Sequence, residues 1–370
     1  MKITENGTKP GRNLVISVLV ASIFIGLPGA AASTETKSPS KKSGLAVSKT
    51  VRIGYFANVT HAPALVARDQ KLIEKYLAKD KTTAEWITFN AGPSAIEAFK
   101  GGALDVAYIG PNPSISGYAS TKGSLIRIVS GSTANGAQLI VKSEISTVQD
   151  LLGKRIASPQ LGNTQDVALR AWLLSKNLKT SISGVGDVTV IPTDNAQSLA
   201  LFQRGDIDGA WVPEPWASRL VLEANGKVFL DEKDFWPKKL FLTTNIVART
   251  SFLKQYPGTV RSIIQGHIDA VNYIRKSPAS AMESVQAQIA DATGKRLPDN
   301  VIKRAWGNLF FTFDPLPSTL VKSAEDAVDA GLLTTLGSRG LVGIYDLRIL
   351  NDVLLSRKLK KISAQGLGQQ

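Results

Sequence analysis

The most informative absence in this 370-residue chain is cysteine, which does not occur. Without a thiol, the protein has no disulfide bond, no thiolate nucleophile or metal ligand, and no cysteine-ligated iron–sulfur cluster. Only two histidines are present, His61 and His267, and neither lies in a metal-spaced pair. A P-loop, a nucleophile elbow and a complete dinucleotide-binding glycine motif are also missing. The sequence therefore predicts a protein without metal or cofactor, and it offers no standard catalytic motif.

Long hydrophobic runs are missing as well, because the most extended one, residues 14–27, has only 14 residues. As a helix it would cover about 21 Å, less than the ~30 Å hydrocarbon core of a membrane. Three basic residues precede it, and small residues follow it up to Ser33, as in a secretory signal peptide. We predict a signal peptide at residues 1–32, cleaved near Ala32-Ser33, and a periplasmic location. An uncleaved anchor is the alternative, whereas a lipid anchor would need a cysteine.

Acidic residues are in the minority, with 30 Asp and Glu against 44 Lys and Arg, a formal net charge of +14. The basic residues are scattered and do not alternate with aromatic residues, so nucleic-acid binding is not expected. The positive charge is instead suited to steering small anions. Residues 33–49 are rich in Ser, Lys and Thr and are predicted to be a flexible leader. Residues 361–370 are taken as a C-terminal tail.

Two segments, residues 99–113 and 202–215, repeat one pattern. In each, a helix end is followed by Gly, Asp, a short apolar strand and a Pro-x-Pro turn that opens another helix. The glycines are expected to close a helix and the first prolines to begin one; they are Gly102, Gly205, Pro111 and Pro213. The repeat predicts two similar lobes, with the turns on opposite sides of a cleft. A chance recurrence of a common connection is the alternative.

Strand and helix patterns alternate from Val51 onward, which predicts an α/β fold with mainly parallel sheets. The predicted strands are residues 51–56, 85–89, 105–109, 126–130, 138–142, 155–157, 188–191, 208–212 and 244–248. The later part is predicted to be helical at residues 258–276, 278–292, 299–308, 317–331 and 346–358. We expect the chain to cross to a second lobe at 138–142 and to return at 244–248. This places lobe 1 at residues 50–138 and 244–360, and lobe 2 at 139–243.

Polar residues follow several of the predicted strands, close to helix N-termini or to the first crossing. They are Asn58, Thr60, His61, Asn112, Asn135, Gly136, Gln138, Asn163 and Thr164. Free backbone N–H groups and the positive end of the helix dipole favour an anion at such positions. Taken singly, each residue could equally be a helix cap or a surface residue. Their expected convergence on one cleft predicts an anion-binding site.

Trp211 and Trp216 flank Glu214 in the second Pro-x-Pro turn. Trp216 could form an apolar wall for a ligand tail, or it could simply pack between elements. Glu214 would repel a bound anion, so it either pairs with a cation on the ligand or stabilises the start of a helix. The sequence leaves both alternatives open for Trp216 and for Glu214.

At these positions the chain resembles the periplasmic substrate-binding proteins of ABC importers for sulfonates, taurine and nitrate. The similar segments span residues 51 to about 350. They include His61-Ala-Pro-Ala-Leu-Val-Ala67, Gly92-Pro-Ser-Ala-Ile-Glu-Ala-Phe99, Asn135-Gly-Ala-Gln-Leu139, Asp150-Leu-Leu-Gly-Lys-Arg-Ile-Ala157, Leu161-Gly-Asn-Thr164 and Asp208-Gly-Ala-Trp-Val-Pro-Glu-Pro-Trp216. The turn Gly110-Pro-Asn-Pro113 departs from the Gly-Asp or Gly-Ser of some sulfonate binders, which weakens transfer of a particular substrate.

The resemblance implies a two-lobed type II periplasmic-binding-protein fold that closes on its ligand and delivers it to a membrane permease with its ATPase. It also implies that Asn112, Asn135, Gly136, Asn163, Thr164 and Glu214 hold the ligand. We therefore expect a monomeric binding protein, not an enzyme, for an aliphatic sulfonate or taurine. Nitrate, bicarbonate or a pyrimidine precursor as ligand, an enzyme on the same fold and a sensor subunit are the alternatives.

Overall fold

A computed structural model describes residues 44–334, 336 and 340–370. The predicted signal peptide and most of the predicted leader lie outside these residues. Among the helices that are described, none has the length and apolar character needed to cross a membrane.

The described residues form thirteen β-strands and thirteen α-helices. The strands are β1 (Thr50–Tyr55), β2 (Thr83–Thr88), β3 (Val106–Ile109), β4 (Ile126–Asn135), β5 (Ala137–Val141), β6 (Arg155–Ser158), β7 (Thr189–Pro192), β8 (Gly209–Pro213), β9 (Lys227–Asp231), β10 (Leu242–Arg249), β11 (Leu309–Phe311), β12 (Tyr345–Asp346) and β13 (Gly368–Gln369). The first seven helices are α1 (Ala62–Asp69), α2 (Glu74–Leu77), α3 (Gly92–Lys100), α4 (Pro111–Ser120), α5 (Thr164–Ser175), α6 (Asn195–Arg204) and α7 (Trp216–Ala224). The other six are α8 (Thr250–Gln255), α9 (Pro257–Lys276), α10 (Pro278–Thr293), α11 (Asp299–Gly307), α12 (Pro317–Asp329) and α13 (Arg348–Ser356).

The strands form two sheets. The first has the order β13-β12-β4-β10-β3-β1-β2, with β11 paired to β4, and the second has the order β7-β6-β8-β5-β9. The expectation of mainly parallel sheets holds only in part: of the eleven strand pairings among the described residues, six are parallel and five are antiparallel. In the first sheet β10 runs antiparallel to β3 and β4, and in the second β5 runs antiparallel to β8 and β9. The antiparallel strands are those through which the chain leaves one sheet and returns to it.

The chain passes from the first sheet to the second between β4 and β5. Asn135 and Gly136 form this junction with φ of 65° and 79°, a left-handed conformation that suits glycine. A Cβ atom on Gly136 would also lie 2.2 Å from Leu309 Cδ2. Position 136 therefore favours glycine for its backbone conformation, and a larger residue there would displace the end of the Leu309 side chain.

The second sheet is buried on both faces. Along β5, Leu139 and Val141 pack into one hydrophobic cluster with Trp172 and Leu173, while Ile140 packs into another with Phe202. This arrangement explains why β5 has the continuous apolar run Leu139-Ile140-Val141, in which apolar and polar residues do not alternate.

The two repeated segments differ at their turns. Gly102 and Gly205 have φ of 70° and 81°, so the predicted left-handed helix ends are confirmed. Pro111 is the first residue of α4, as predicted. The prediction for Pro213 is wrong, because Pro213 pairs with Ala137 as the last residue of β8 and the next helix begins three residues later.

Both predicted terminal segments contact the fold where they are described. Near the N-terminus, Ala46 O accepts a hydrogen bond from Gly258 N, and Ser48 N donates to Thr259 Oγ1 at the start of α9. At the C-terminus, residues 368–369 extend the first sheet as β13 beside β12.

Candidate functional site

Four helices begin at one small, polar cavity, which we call the inner cavity. Its lining includes His61 at the start of α1, Gly110 before α4, Thr164 at the start of α5 and Asn195 at the start of α6. In none of these four helices does the N-cap side chain accept a hydrogen bond from the first turn. The positive ends of the four helix dipoles thus lie near one place, which favours an anion there. Of the four helices, α4 adds few N–H groups, because Pro111 and Pro113 have none.

The imidazole of His61 is a neutral donor in this cavity. The residue is 2% exposed, and burial lowers its pKa to about 3. Phe56 N donates to His61 Nδ1 at 3.3 Å, and the Phe56 ring stacks on the imidazole with centroids 4.3 Å apart. With Nδ1 acting as acceptor, the proton is on Nε2. The Nε2–H group makes no hydrogen bond to the described residues and is available to a ligand.

Asn58 connects the cavity to α7. Trp216 Nε1 donates to Asn58 Oδ1 at 3.0 Å. Because the amide oxygen is engaged, the Asn58 NH2 group remains as a donor. Trp216 itself is half-buried and lies under the Arg219 guanidinium, 4.9 Å from the ring centroid.

Two further polar atoms of the inner cavity are buried without a partner among the described residues. They are Thr164 Oγ1 and Asn195 Oδ1, on residues only 5% and 9% exposed. Buried polar groups without a partner are costly. The Thr164 hydroxyl can donate to an anion, whereas Asn195 Oδ1 only accepts and would be satisfied by a donor such as an ammonium group. Gly110 allows this geometry, since a Cβ atom there would lie 2.3 Å from Thr164 Oγ1.

A larger pocket of about 510 Å³ adjoins the inner cavity, and we call it the outer pocket. The two share Phe56, Asn58, Asn90 and Asn195. Phe89 and Trp216 supply apolar walls, while Asp194, Glu223, Arg219, Lys295 and Arg296 supply charges. Arg219 is neutralised by Glu223 at 2.9 Å and Arg296 by Glu283 at 2.7 Å. The pocket is therefore mixed in character, not simply cationic.

Glu214 is fully buried and lies in a separate hydrogen-bond network with partly buried residues. Its Oε2 accepts from Ser218 N at 3.0 Å in the first turn of α7, and its Oε1 accepts from Asn308 Nδ2 at 2.7 Å and Arg304 Nη1 at 3.2 Å. Burial raises its pKa, while the hydrogen bonds from Asn308 and Ser218 and the charge of Arg304 lower it. Glu214 is absent from the lining of both cavities.

Residues of the first crossing belong to the same network. Gln138 Oε1 accepts from Arg304 Nη2 at 2.8 Å, and Gly136 O accepts from Glu214 N at 2.8 Å. Asn135 Oδ1 accepts from Phe241 N at 3.2 Å. The structure thus gives these residues protein partners at the junction of the two sheets.

The remaining predicted residues lie elsewhere. Asn112 is buried on α4 and donates to Ser323 O of α12 at 2.8 Å. Trp211 is buried on β8 and donates to Glu232 Oε2 at 2.8 Å, beside a third cavity. Of the eleven predicted ligand residues, the structure places Asn58, His61, Asn163 and Thr164 at the inner cavity and Asn58 and Trp216 at the outer pocket.

Sequence reasoning missed several residues of the inner cavity. Asn195 follows a predicted strand and opens a helix, so the rule that selected Asn163 would have found it too. Thr243 and Thr244 lie at the start of β10, where no local pattern distinguishes them. Thr244 Oγ1 donates to Thr60 O at 3.1 Å and so holds the turn before α1.

The chain has detectable relatives. A model of the NMT1-like family matches residues 46–290. The taurine-binding periplasmic protein of Escherichia coli (strain K12) is 29% identical over 209 residues, which are 56% of this chain and 62% of that protein. The chain thus matches less than two thirds of the length of this relative.

Solved structures resemble this one in fold. The alkanesulfonate-binding protein from Xanthomonas axonopodis pv. citri, bound to MOPS, has a TM-score of 0.64 and 23% identity, covering 78% of this chain and 95% of that one. The periplasmic nitrate-binding protein from Synechocystis PCC 6803 has a TM-score of 0.67 and 17% identity, covering 83% and 89%. The predicted fold class, α/β of the periplasmic-binding-protein type, is confirmed.

Proposed function

Since this chain belongs to the NMT1-like family, we propose that it is the solute-binding component of an ABC importer for a small organic anion, an aliphatic sulfonate or taurine. The observation that supports this most directly is the convergence of four helix N-termini on the inner cavity. A sulfonate is an anion with three acceptor oxygens, and the cavity offers the positive ends of four helix dipoles together with the donor His61 Nε2–H.

We propose that the protein binds by opening and closing two lobes, one built on each sheet. The strand bounds move the expected limits between the lobes, 138/139 and 243/244, to the junction at Asn135–Gly136 and to the start of β10 at Leu242. The inner cavity lies between elements of both sheets, with α1 and α4 on one side and α5 and α6 on the other. Its volume of about 20 Å³ leaves room for roughly one water molecule. A sulfonate group therefore needs these elements to separate before it enters.

The outer pocket is the proposed place for the rest of the ligand. Phe89 and Trp216 would contact an alkyl tail, and Asp194 would face an ammonium group such as that of taurine. Asp194 replaces Glu214 in this role, because Glu214 is engaged by Ser218, Asn308 and Arg304. Nitrate has no tail to occupy the outer pocket, so it ranks as the second candidate ligand, after the sulfonates and taurine.

Binding without catalysis is favoured by His61. A histidine whose pKa is about 3 is a poor general base at neutral pH. The proposed location is the periplasm, and the proposed partners are a membrane permease and its ATPase. Cell fractionation and N-terminal sequencing test the location: residues 1–32 retained on a membrane-bound protein would contradict it.

The ligand is tested by titrating the purified protein with taurine, ethanesulfonate, butanesulfonate, MOPS, nitrate and sulfate. A true ligand at about 100 times its Kd adds roughly 2.7 kcal/mol to the free energy of unfolding and raises the melting temperature by a few degrees. We expect this stabilisation with the sulfonates. We also expect the ligand to be recovered unchanged from the denatured complex. A response to nitrate alone, or to none of the six, would overturn the proposal.

A further inference from the structure

The turn between β8 and α7, residues 213–216, borders both candidate cavities. Pro213 lines the inner cavity, and Pro215 and Trp216 line the outer pocket. Glu214 lies between them in the chain, lines neither cavity and is fully buried. The contacts that fix this buried carboxyl group therefore also fix the three lining residues on either side of it.

The carboxyl group is fixed by the end of α11. Arg304 Nη1 and Asn308 Nδ2 both donate to Glu214 Oε1, at 3.2 Å and 2.7 Å. The Arg304 guanidinium also donates to Ser218 Oγ at 2.9 Å and to Gln138 Oε1 at 2.8 Å. One side chain thus contacts the turn, the first residues of α7 and the strand β5.

These hydrogen bonds connect elements of different sheets. The helix α11 leads into β11, which pairs with β4 in the first sheet. Gln138 lies on β5 of the second sheet, and Glu214 and Ser218 follow β8 of the same sheet. A further bond between the two sides joins Trp216 Nε1 to Asn58 Oδ1 at 3.0 Å. Arg304 and Trp216 therefore hold the turn against the side of the inner cavity that includes Asn58.

On the basis of the proposed function, we propose that Arg304 is a positioning residue for ligand binding, which acts through Glu214 and holds the two lobes together around the anion. A ligand that contacts both lobes binds only to the closed arrangement. Its apparent Kd is therefore the intrinsic Kd divided by the fraction of protein that is closed. Hydrogen bonds to a charged group that join the two lobes raise this fraction.

Arg304 lines neither the inner cavity nor the outer pocket. Its removal should therefore weaken the binding of every ligand by the same factor and leave the order of preference unchanged. A residue that touches the ligand would change the ratio between ligands. A residue that serves folding alone would change the melting temperature and leave the Kd of the folded protein unchanged.

The first test is calorimetric titration of Arg304→Gln with the sulfonates. Loss of a hydrogen bond to a charged group predicts a Kd that is higher by about tenfold to a hundredfold, by the same factor for each ligand. Arg304→Lys should lie between the variant and the original protein, because lysine keeps the charge and lacks the planar fork. Arg304→Lys also provides the comparison if Arg304→Gln does not fold, which circular dichroism shows.

The matched control is Arg52→Gln. Arg52 is 32% exposed and pairs at 2.9 Å with Asp105, which is 5% exposed, just as Arg304 at 24% pairs with the buried Glu214. Arg52 and Asp105 both lie in or beside strands of the first sheet, so their ion pair does not join the lobes. This substitution should lower the melting temperature and leave the Kd unchanged.

The second test measures closure without a ligand, by thiol cross-linking in a chain that has no cysteine of its own. Ser94 Oγ of α3 donates to Gln160 Oε1, beyond β6 on the other side, at 3.0 Å. In a Ser94→Cys/Gln160→Cys background, a short bifunctional thiol reagent should cross-link these positions more slowly when Arg304→Gln is added. Addition of Arg52→Gln should leave the rate unchanged.

Equal cross-linking rates with and without Arg304→Gln, or an unchanged Kd, would overturn the positioning role. A changed preference among the ligands would also refute it, because Arg304 would then contact the ligand itself. If the original protein binds none of the titrated ligands, the proposed function fails. The cross-linking rates then still decide whether Arg304 holds the two lobes together.

Discussion

His61 illustrates how burial selects the chemistry of a single side chain. Because its pKa is lowered to about 3 and Nδ1 is occupied by Phe56 N, it offers one neutral donor in place of a positive charge. A hydrogen bond to a charged group contributes about 1.5–3 kcal/mol. We therefore expect His61→Ala to weaken sulfonate binding by roughly tenfold to a hundredfold. Calorimetric titration measures this, and an unchanged Kd would mean that His61 does not touch the ligand.

Glu214 is the residue for which structure and sequence resemblance diverge most. Its two carboxyl oxygens accept from Ser218, Asn308 and Arg304, and Glu214→Gln replaces one of these oxygens by an NH2 group. At least one buried donor then has no acceptor, so the substitution should lower the free energy of unfolding by about 1–3 kcal/mol. The ratio of taurine to ethanesulfonate affinity should stay the same. Urea unfolding and paired titrations measure both quantities. A selective loss of taurine binding would show that Glu214 contacts the ligand ammonium.

Among elements, the four helix N-termini are the main determinant of the proposed anion site. Asn195→Asp puts a negative charge in the first turn of α6, where the dipole favours it by about 0.3–1 kcal/mol. The same charge lies in the inner cavity and should repel a bound anion. We expect binding to weaken at least about tenfold, since like charges brought together cost several kcal/mol.

The matched control for this prediction is Asn300→Asp in the first turn of α11, at an exposed position outside both cavities. It has the same charge change at the same kind of helix position and should leave sulfonate binding unaltered. Equal effects of the two substitutions on Kd would show that the helix termini at the inner cavity are not special. Differential scanning calorimetry and titration supply the two readouts.

For the molecule as a whole, buried titratable groups predict how stability depends on pH. Burial lowers the pKa of His61 and His267 to about 3, so below pH 6.5 the unfolded chain takes up protons that the folded chain refuses. Each histidine then lowers the free energy of unfolding by up to about 1.4 kcal/mol per pH unit as the pH falls from 6.5. Burial raises the pKa of Glu232 to about 8, so stability is also lost as the pH rises from 4.5 to 8.

These two opposite pH dependences predict that the free energy of unfolding is highest near pH 6.5. Above that pH the two histidines no longer change the stability, whereas ionisation of Glu232 still lowers it. Glu214, whose pKa burial also raises, acts in the same direction as Glu232. Urea unfolding at a series of pH values measures the curve. Glu232→Gln should flatten its alkaline side, and a stability that rises steadily up to pH 8 in the unmodified protein would contradict the assignment.

Local pattern in the sequence was sufficient for most elements of the fold. The helix ends at Gly102 and Gly205, the start of α4 at Pro111 and the long helices after Ser251 follow from backbone preference and apolar spacing. The alternation of strands and helices predicted the fold class. The same local rule identified Asn58, His61, Asn163 and Thr164, because each lies where a strand leads into a helix.

Tertiary structure decided everything that depends on contacts between distant segments. Pro213 ends β8 because Ala137 pairs with it. Glu214 accepts hydrogen bonds from Arg304 and Asn308, which lie 90 and 94 residues further along the chain. Thr243 lines the inner cavity, and Asn112 contacts α12, for the same reason. The spacing of residues in a sequence predicts which of them lie on the same face of one helix or strand. Which elements meet is determined by packing of the two sheets and their helices, and that packing selects among residues that local chemistry makes equivalent.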